Sequence, residues 1–360
     1  MQIDFHHAVT YVVARYADFS HDDAALVAHC AQYIDDATND GTVTFDGDIL
    51  YRRLSSAHKM LDYRNFQGLK NHLVWLPFHF LPGNDGLAAG ENPDESLIHK
   101  LVCKPNSPIA QDMCRACVED QDKDYALHRL GVKAHVFADT WAHQGFAGVN
   151  HKINMVSGLK DENGNADNIF ERKITSLFGN LASHAIPPLG HGPALSYPDR
   201  PYASWSYQNG LDRPVTVERN NTELFVEAAD ELCKLFQRYL AGNWDGPSDG
   251  LQDEQKKHLR DRFVRFADPD GDVRHELWLD DIAEGRLGFP AQDLSYVPKG
   301  HGSWKHQAIG EVAAVDSEDK VYPYDEDFLT SNWKMFHDAA KEHRLTVIDD
   351  ILPKYGICAA

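Results

Sequence analysis

The segment Gly131-Val-Lys-Ala-His135-Val-Phe-Ala-Asp139-Thr-Trp-Ala-His143 carries two imidazoles and a carboxylate at i, i+4 and i+8. On a helix that spacing puts all three side chains on one stripe. The neighbours Leu130, Val132, Ala134, Val136, Phe137 and Trp141 are apolar over most of the helix circumference, which predicts a central, buried helix. Burying the stripe is costly unless something binds it. Two arrangements meet that need. One is a divalent cation, because imidazole nitrogen and carboxylate oxygen are typical zinc ligands. The other is a hydrogen-bonded His–Asp–His network inside a bundle. In the first, Asp139 is placed to bridge two ions.

The chain offers partners elsewhere. His6 and His7 lie near the N-terminus, Asp35 and Asp36 close an apolar helical pattern, and His58 follows an apparent loop. His151 lies just beyond the central helix, and His191 sits in Gly-His-Gly with Asp199 further on. Two adjacent carboxylates at a helix C-terminus oppose the macrodipole, which favours a cation near Asp35 or Asp36. Together these residues form the scattered-ligand pattern of a multinuclear site inside a helical bundle.

Helices must carry these groups. Val9, Val12, Val13 and Tyr16 recur at helical spacing between Asp4 and Ala17, and Ser20 is a good N-cap for a second helix ending near Asp36. Residues 39–48 read as a loop or short hairpin. Further helices are predicted over 67–75, 108–120, 122–143, 168–183, 221–241 and near 325–350. The six prolines of 185–215 predict a long loop, and its Tyr197, Tyr202 and Trp205 offer aromatic surface to a substrate. The expected fold is an all-α multi-helix bundle with long loops: a metal-binding domain over 1–243 and a helical C-terminal extension, 244–360, packed on it.

The 360 residues are 42% hydrophobic and 25% charged, as in ordinary globular proteins, but 20 histidines are many for this length. The net charge of -20 argues against a stable nucleic-acid partner, which needs basic surface to displace counterions. It leaves room for chemistry on phosphoesters, because metal ions supply positive charge locally. No signal peptide or transmembrane segment is visible, so the expectation is a cytoplasmic protein or one exported without a cleavable signal.

Weaker signals are set aside. Cys114-Arg-Ala-Cys117 has no second pair to complete a zinc site. Asp268-Pro-Asp270-Gly-Asp272 begins like a calcium loop, but Val273 and Leu279 stand where its Gly and Glu belong. Lys299-Gly-His301-Gly-Ser-Trp304 reads as a surface loop or a lid. No phosphate-binding loop, dinucleotide fingerprint or serine-hydrolase elbow occurs.

The order of an N-terminal His, an Asp closing the next helix, a following His and Gly131-x-x-x-His135-x-x-x-Asp139 resembles the zinc-dependent phospholipase C family and its fungal single-strand nuclease relatives. The resemblance spans roughly residues 4–200. It implies an all-α domain with two or three zinc ions acting on a phosphoester, a phospholipid in the leading case. One metal would take Asp36, His58, His135 and Asp139, with Asp36 also the implied carboxylate that orients or deprotonates the water; a second, His6 and Asp139 with terminal backbone groups; a third, His143 and later ligands such as His191. Departures are the short step from Asp139 to His143 and the absence of an acid one turn after a later His, since Asp199 stands too far from His191. Met1 would have to serve as the terminal ligand. The whole chain also looks like an uncharacterised bacterial family of similar length. A nuclease or phosphatase on the same scaffold, or a non-catalytic protein with structural metal, are the competing readings.

Overall fold

A computed structural model describes residues 1–57, 68–94, 96–161, 189–211, 213–314 and 320–358. The predicted helix at 168–183 and the predicted ligand His58 lie outside these residues. The chain opens with a π-helical segment, Asp4–Val9, running directly into α1, Thr10–Tyr16. Ser20 caps α2, His21–Asp36, by accepting from the Asp23 amide, with Asp22 and Asp23 in the first turn. Then come α3 (Gly68–Phe78), α4 (Pro108–Glu119), the central α5 (Ala126–Ala142) and α6 (Asn221–Ala241). In the last third, α7 (Asp253–Arg265), α8 (Gly271–Ala283) and α9 (Asn332–Leu345) follow.

The all-α expectation is corrected by two three-stranded sheets, which make the fold helix-rich but mixed. In the first, β1 (Gly41–Phe45) pairs antiparallel with β2 (Ile49–Arg53) and parallel with β6 (Val321–Tyr322). The β-branched run Thr42-Val43-Thr44 favours a strand, and Gly47 at φ 70° permits the reversal. In the second, β4 (Ser204–Asn209) lies between β3 (Val156–Lys160) and β5 (Thr216–Asn220), all antiparallel. The expected long loop over 185–215 therefore contains a strand. Trp205 and Tyr207 alternate with polar residues on β4 and bury the same face, a period of two that outweighs the surrounding prolines.

One large core joins α1, α2, α4, α5 and α6 with residues of the last third, including Leu259, Phe263, Trp278 and Ile282. The C-terminal third is thus packed on the bundle, and through β6 it also completes the first sheet. The Asp268–Asp272 turn caps α8: Asp270 accepts from the Asp272 amide. No helix among the described residues is long and apolar enough to cross a membrane.

Gly131 sets the approach of α5 to α2. A Cβ there would land inside the van der Waals envelopes of Cys30 Cβ and the Val27 carbonyl oxygen. Gly131→Ala must push the helices apart, and such overpacking costs about 1–3 kcal/mol. The expected result is a matching drop in urea-unfolding free energy; an unchanged midpoint would mean the crossing is not tight.

Candidate metal centre

The close crossing brings the α5 stripe against the end of α2. His135 Nδ1 lies 2.8 Å from the Ala31 carbonyl oxygen of α2. Because a carbonyl only accepts, Nδ1 carries the proton and Nε2 presents a bare lone pair. The same logic fixes three more rings. His79 Nε2 donates to Ser56 O at 2.9 Å, His143 Nδ1 to His79 O at 2.7 Å, and His191 Nδ1 to Leu195 O at 2.9 Å. Backbone anchoring of one nitrogen while the other faces inward is the usual support of a metal-ligating histidine.

The inward atoms converge. His79 Nδ1 and His135 Nε2 stand 3.3 Å apart; burial works to lower the His79 pKa, but Asp139 and Asp35 raise it above the ordinary histidine value, so Nδ1 sits where positive charge is favoured, as a proton or a metal ion. Asp139, 1% exposed, lies among them. Its Oδ2 is 3.2 Å from His135 Nε2 and 3.4 Å from His79 Nδ1; its Oδ1 is 3.1 Å from His6 Nε2. His6, on the π-helical turn, stacks on His135 with ring centroids 3.8 Å apart. Both His6 nitrogens, Asp139 Oδ2 and Asp199 Oδ1 are buried without a hydrogen-bond partner. Such orphaned atoms are expensive unless a ligand satisfies them.

Among the described residues, three groups that could hold a metal ion result: His6, Asp35 and His135; His79, His135 and Asp139; His143, His191 and Asp199. Within each, the donor atoms lie within 4.8 Å of one another. The Met1 ammonium sits 2.6 Å from Asp139 Oδ1 and 3.3 Å from Asp199 Oδ1, a cation placed between the second and third groups. Burial opposes its charge, yet Asp139 and Asp199 push its pKa up to about 11. Burial likewise works to raise the Asp139 carboxyl, but His143, the ammonium, His135 and His6 hold it well below the usual carboxylate range. Burial drives His6 well below the ordinary histidine value, and His191 down to about 4, so both rings are neutral. The groups thus offer imidazole nitrogens, those of His6 and His191 on neutral rings, and carboxylates, of which burial raises Asp35 and the neighbouring cations hold Asp139 down; these are the ligand types a zinc-like cation takes.

Of the expected ligands, His6, Asp35, His135, Asp139, His143 and His191 come together here. Asp36 does not join them. One helical step from Asp35 rotates it away, and its Oδ2 accepts from Tyr296 Oη at 2.7 Å and from Gln32 Nε2 at 3.2 Å. His79 was not expected; its one signal is a titratable residue inside the apolar run Leu73-Val-Trp-Leu-Pro-Phe-His79-Phe-Leu81. His191 and Asp199 do meet, with Nε2 3.6 Å from Oδ2. The link is a pair of 3-10 turns in place of one helical turn, with Leu195 at φ 53°, a conformation leucine rarely takes. The expected substrate aromatics are corrected too. Tyr197 and Trp205 are buried in the core around Phe146 and Tyr207, and Trp205 Nε1 donates to Asn221. Tyr202 is half-buried under Arg274.

The turn bearing His6 is held from the far end of the chain. Arg274 of α8, fully buried, donates Nε to Asp4 Oδ2 at 2.6 Å and Nη2 to Gln2 Oε1 at 2.6 Å. Its Nη1 donates to Asp268 O at 2.6 Å.

Other imidazoles make the fold acid-sensitive. Burial lowers His128 and His275 to about 4 and His29 and His337 to about 3. The unfolded chain takes up protons near pH 6.5 while the native state resists, so stability falls as pH drops from about 6.5 towards 4. The urea midpoint of chelator-treated protein is expected to decline across that window. A flat midpoint would contradict it.

A family model described as a family of unknown function, DUF6765, matches residues 1–351. No curated protein and no solved structure matches the chain.

Proposed function

The chain belongs to this family of unknown function, and from its buried His/Asp groups we propose that it is a zinc-dependent phosphoester hydrolase of phospholipase C-like type. The observation that carries the reading is the inward set of imidazole nitrogens and carboxylate oxygens around Asp139, each imidazole anchored behind by a backbone carbonyl except that of His6. Among the described residues each group offers three protein donors, the number of protein ligands in catalytic rather than structural zinc sites, and the first two groups share His135 Nε2, whose one lone pair serves a single ion. Zinc ions held there supply Lewis acidity to a phosphoryl oxygen and make water a nucleophile near neutral pH.

The chain's own groups do the rest. Asp139 spans the first two groups and neutralises charge from both sides. Asp35 lies 3.9 Å from His135 Nε2 and is one-third exposed on an open cleft of about 950 Å³, so its carboxylate orients an attacking water and accepts its proton. Among the described residues that line it the cleft has no Lys or Arg, which favours a small phosphoester over a long nucleic acid.

Purified protein is expected to hold two or three zinc equivalents by plasma mass spectrometry. It should hydrolyse a chromogenic phosphodiester and phosphatidylcholine, lose activity to a chelator and regain it with zinc. Protein that takes up zinc yet hydrolyses neither substrate would overturn the proposal.

A further inference from the structure

Near its end α3 contains Pro77, which has no N–H to give, and the amides of His79 and Phe80 both turn back to the Trp75 carbonyl, at 3.1 and 2.7 Å. His79 thus leaves the helix on a turn whose last carbonyls no amide of the helix itself reaches. One of them, Pro77 O, is met by a side chain from the far end of the sequence, His343 Nε2 of α9, at 2.7 Å. A carbonyl only accepts, so Nε2 carries the proton and Nδ1 is left as an acceptor. Lys133 Nζ donates to it at 2.9 Å. Both side chains are fully buried, which is rare for a lysine. Because an ammonium only donates, Lys133 holds His343 in the tautomer that bonds Pro77. The Phe78 ring packs on the same imidazole, with centroids 5.2 Å apart.

We propose that His343 is a positioning residue for the metal centre, setting the place of His79 through the Pro77 carbonyl, with Lys133 fixing its tautomer. The bond from His79 Nε2 to Ser56 O sets the rotation of that ring, and the bond from His343 to Pro77 sets the backbone from which the ring projects. Lys133 stands two residues before His135, whose Nε2 faces His79 Nδ1 at 3.3 Å. One helix, α5, therefore carries a ligand and also the support of the ligand opposite it. The path from α5 through α9 to α3 closes at the centre itself. A contact that served stability alone would leave zinc affinity independent of which bond at residue 343 is lost. This role presupposes the metal centre of the proposed hydrolase but not its substrate.

Asparagine and glutamine at position 343 separate the two bonds. Asparagine puts its oxygen near the Nδ1 position and still accepts from Lys133, but it is too short to reach Pro77 O. Glutamine carries an N–H out to the Nε2 position. Zinc affinity is measured by competition with a chromophoric chelator, with helix content and urea midpoint recorded for every variant. His343→Asn is expected to weaken one zinc equivalent about tenfold, the lower end for groups that support a metal ligand, while His343→Gln stays near the parent. In a His79→Ala background His343→Asn should weaken zinc no further, because its effect runs through that ring. Parent-like zinc binding by His343→Asn, an equal loss in His343→Gln, or an undiminished loss beside His79→Ala would overturn the inference. Should His343→Asn not fold, Lys133→Met takes its place, with the same weakening expected and parent-like binding again overturning it. A parent protein that takes up no zinc removes this role and the hydrolase reading together. One that takes up zinc and follows the expected pattern, yet hydrolyses no phosphodiester, removes the hydrolase reading alone.

Discussion

Replacing Asp139 with asparagine is expected to remove more than one equivalent of bound metal. The carboxylate presents Oδ1 to His6 and Oδ2 to His79 and His135, so it serves two groups at once. Asparagine keeps one acceptor and turns the other into an NH2 donor, which cannot ligate. It also removes the carboxylate charge shared by His6, His79 and His135, in surroundings where burial magnifies electrostatics. Under the proposed function, phosphodiester hydrolysis should fall by about 10³-fold or more, several kcal/mol of transition-state stabilisation. Metal content separates this from simple misfolding, because a folded variant with unaltered zinc would remove Asp139 from its assigned role.

Arg274→Leu is expected to cost about 3–5 kcal/mol of stability, the usual penalty for stranding one member of a buried ion pair. Asp4, 1% exposed, loses both guanidinium contacts, and Gln2 and the Asp268 carbonyl lose theirs. Burial already raises the Asp4 pKa, and Arg274 is the main restraint on that rise. Without it Asp4 titrates higher still. A raised carboxyl binds more protons folded than unfolded, so the variant's deficit relative to the parent should shrink as pH falls. Adding Asp4→Asn should recover part of the loss. A deficit under about 1 kcal/mol, or one indifferent to Asp4→Asn, would show that the clamp does not hold the turn.

Much of the helical frame is legible in the residues. The caps and periodicity of α2, α4, α5 and α6 mark their limits within a few positions, because each buries one continuous face or is buried all round. The sheets are less legible. The strands around Trp205 are short, sit beside prolines, and owe their existence to a distant partner, Phe146, that no local pattern reveals. The centre divides the same way. His135, Asp139 and His143 share one helix, so spacing alone unites them. Asp35 and Asp36 differ by a single helical step, and only the packing of α2 on α5 chooses between them. His79 comes from a loop after Pro77, and Asp199 through an unusual Leu195 backbone, so neither follows any periodicity.

The donors are strewn along the polypeptide from His6 to Asp199, and the arginine that steadies the first of them is residue 274. A ribosome emitting roughly 5–20 residues per second cannot present a finished nest of donors until most of the protein has emerged. Any ion these groups take up would then enter as a closing event of biosynthesis. Because affinity rankings among first-row ions are overridden by availability, the compartment in which the chain finishes folding would select that ion.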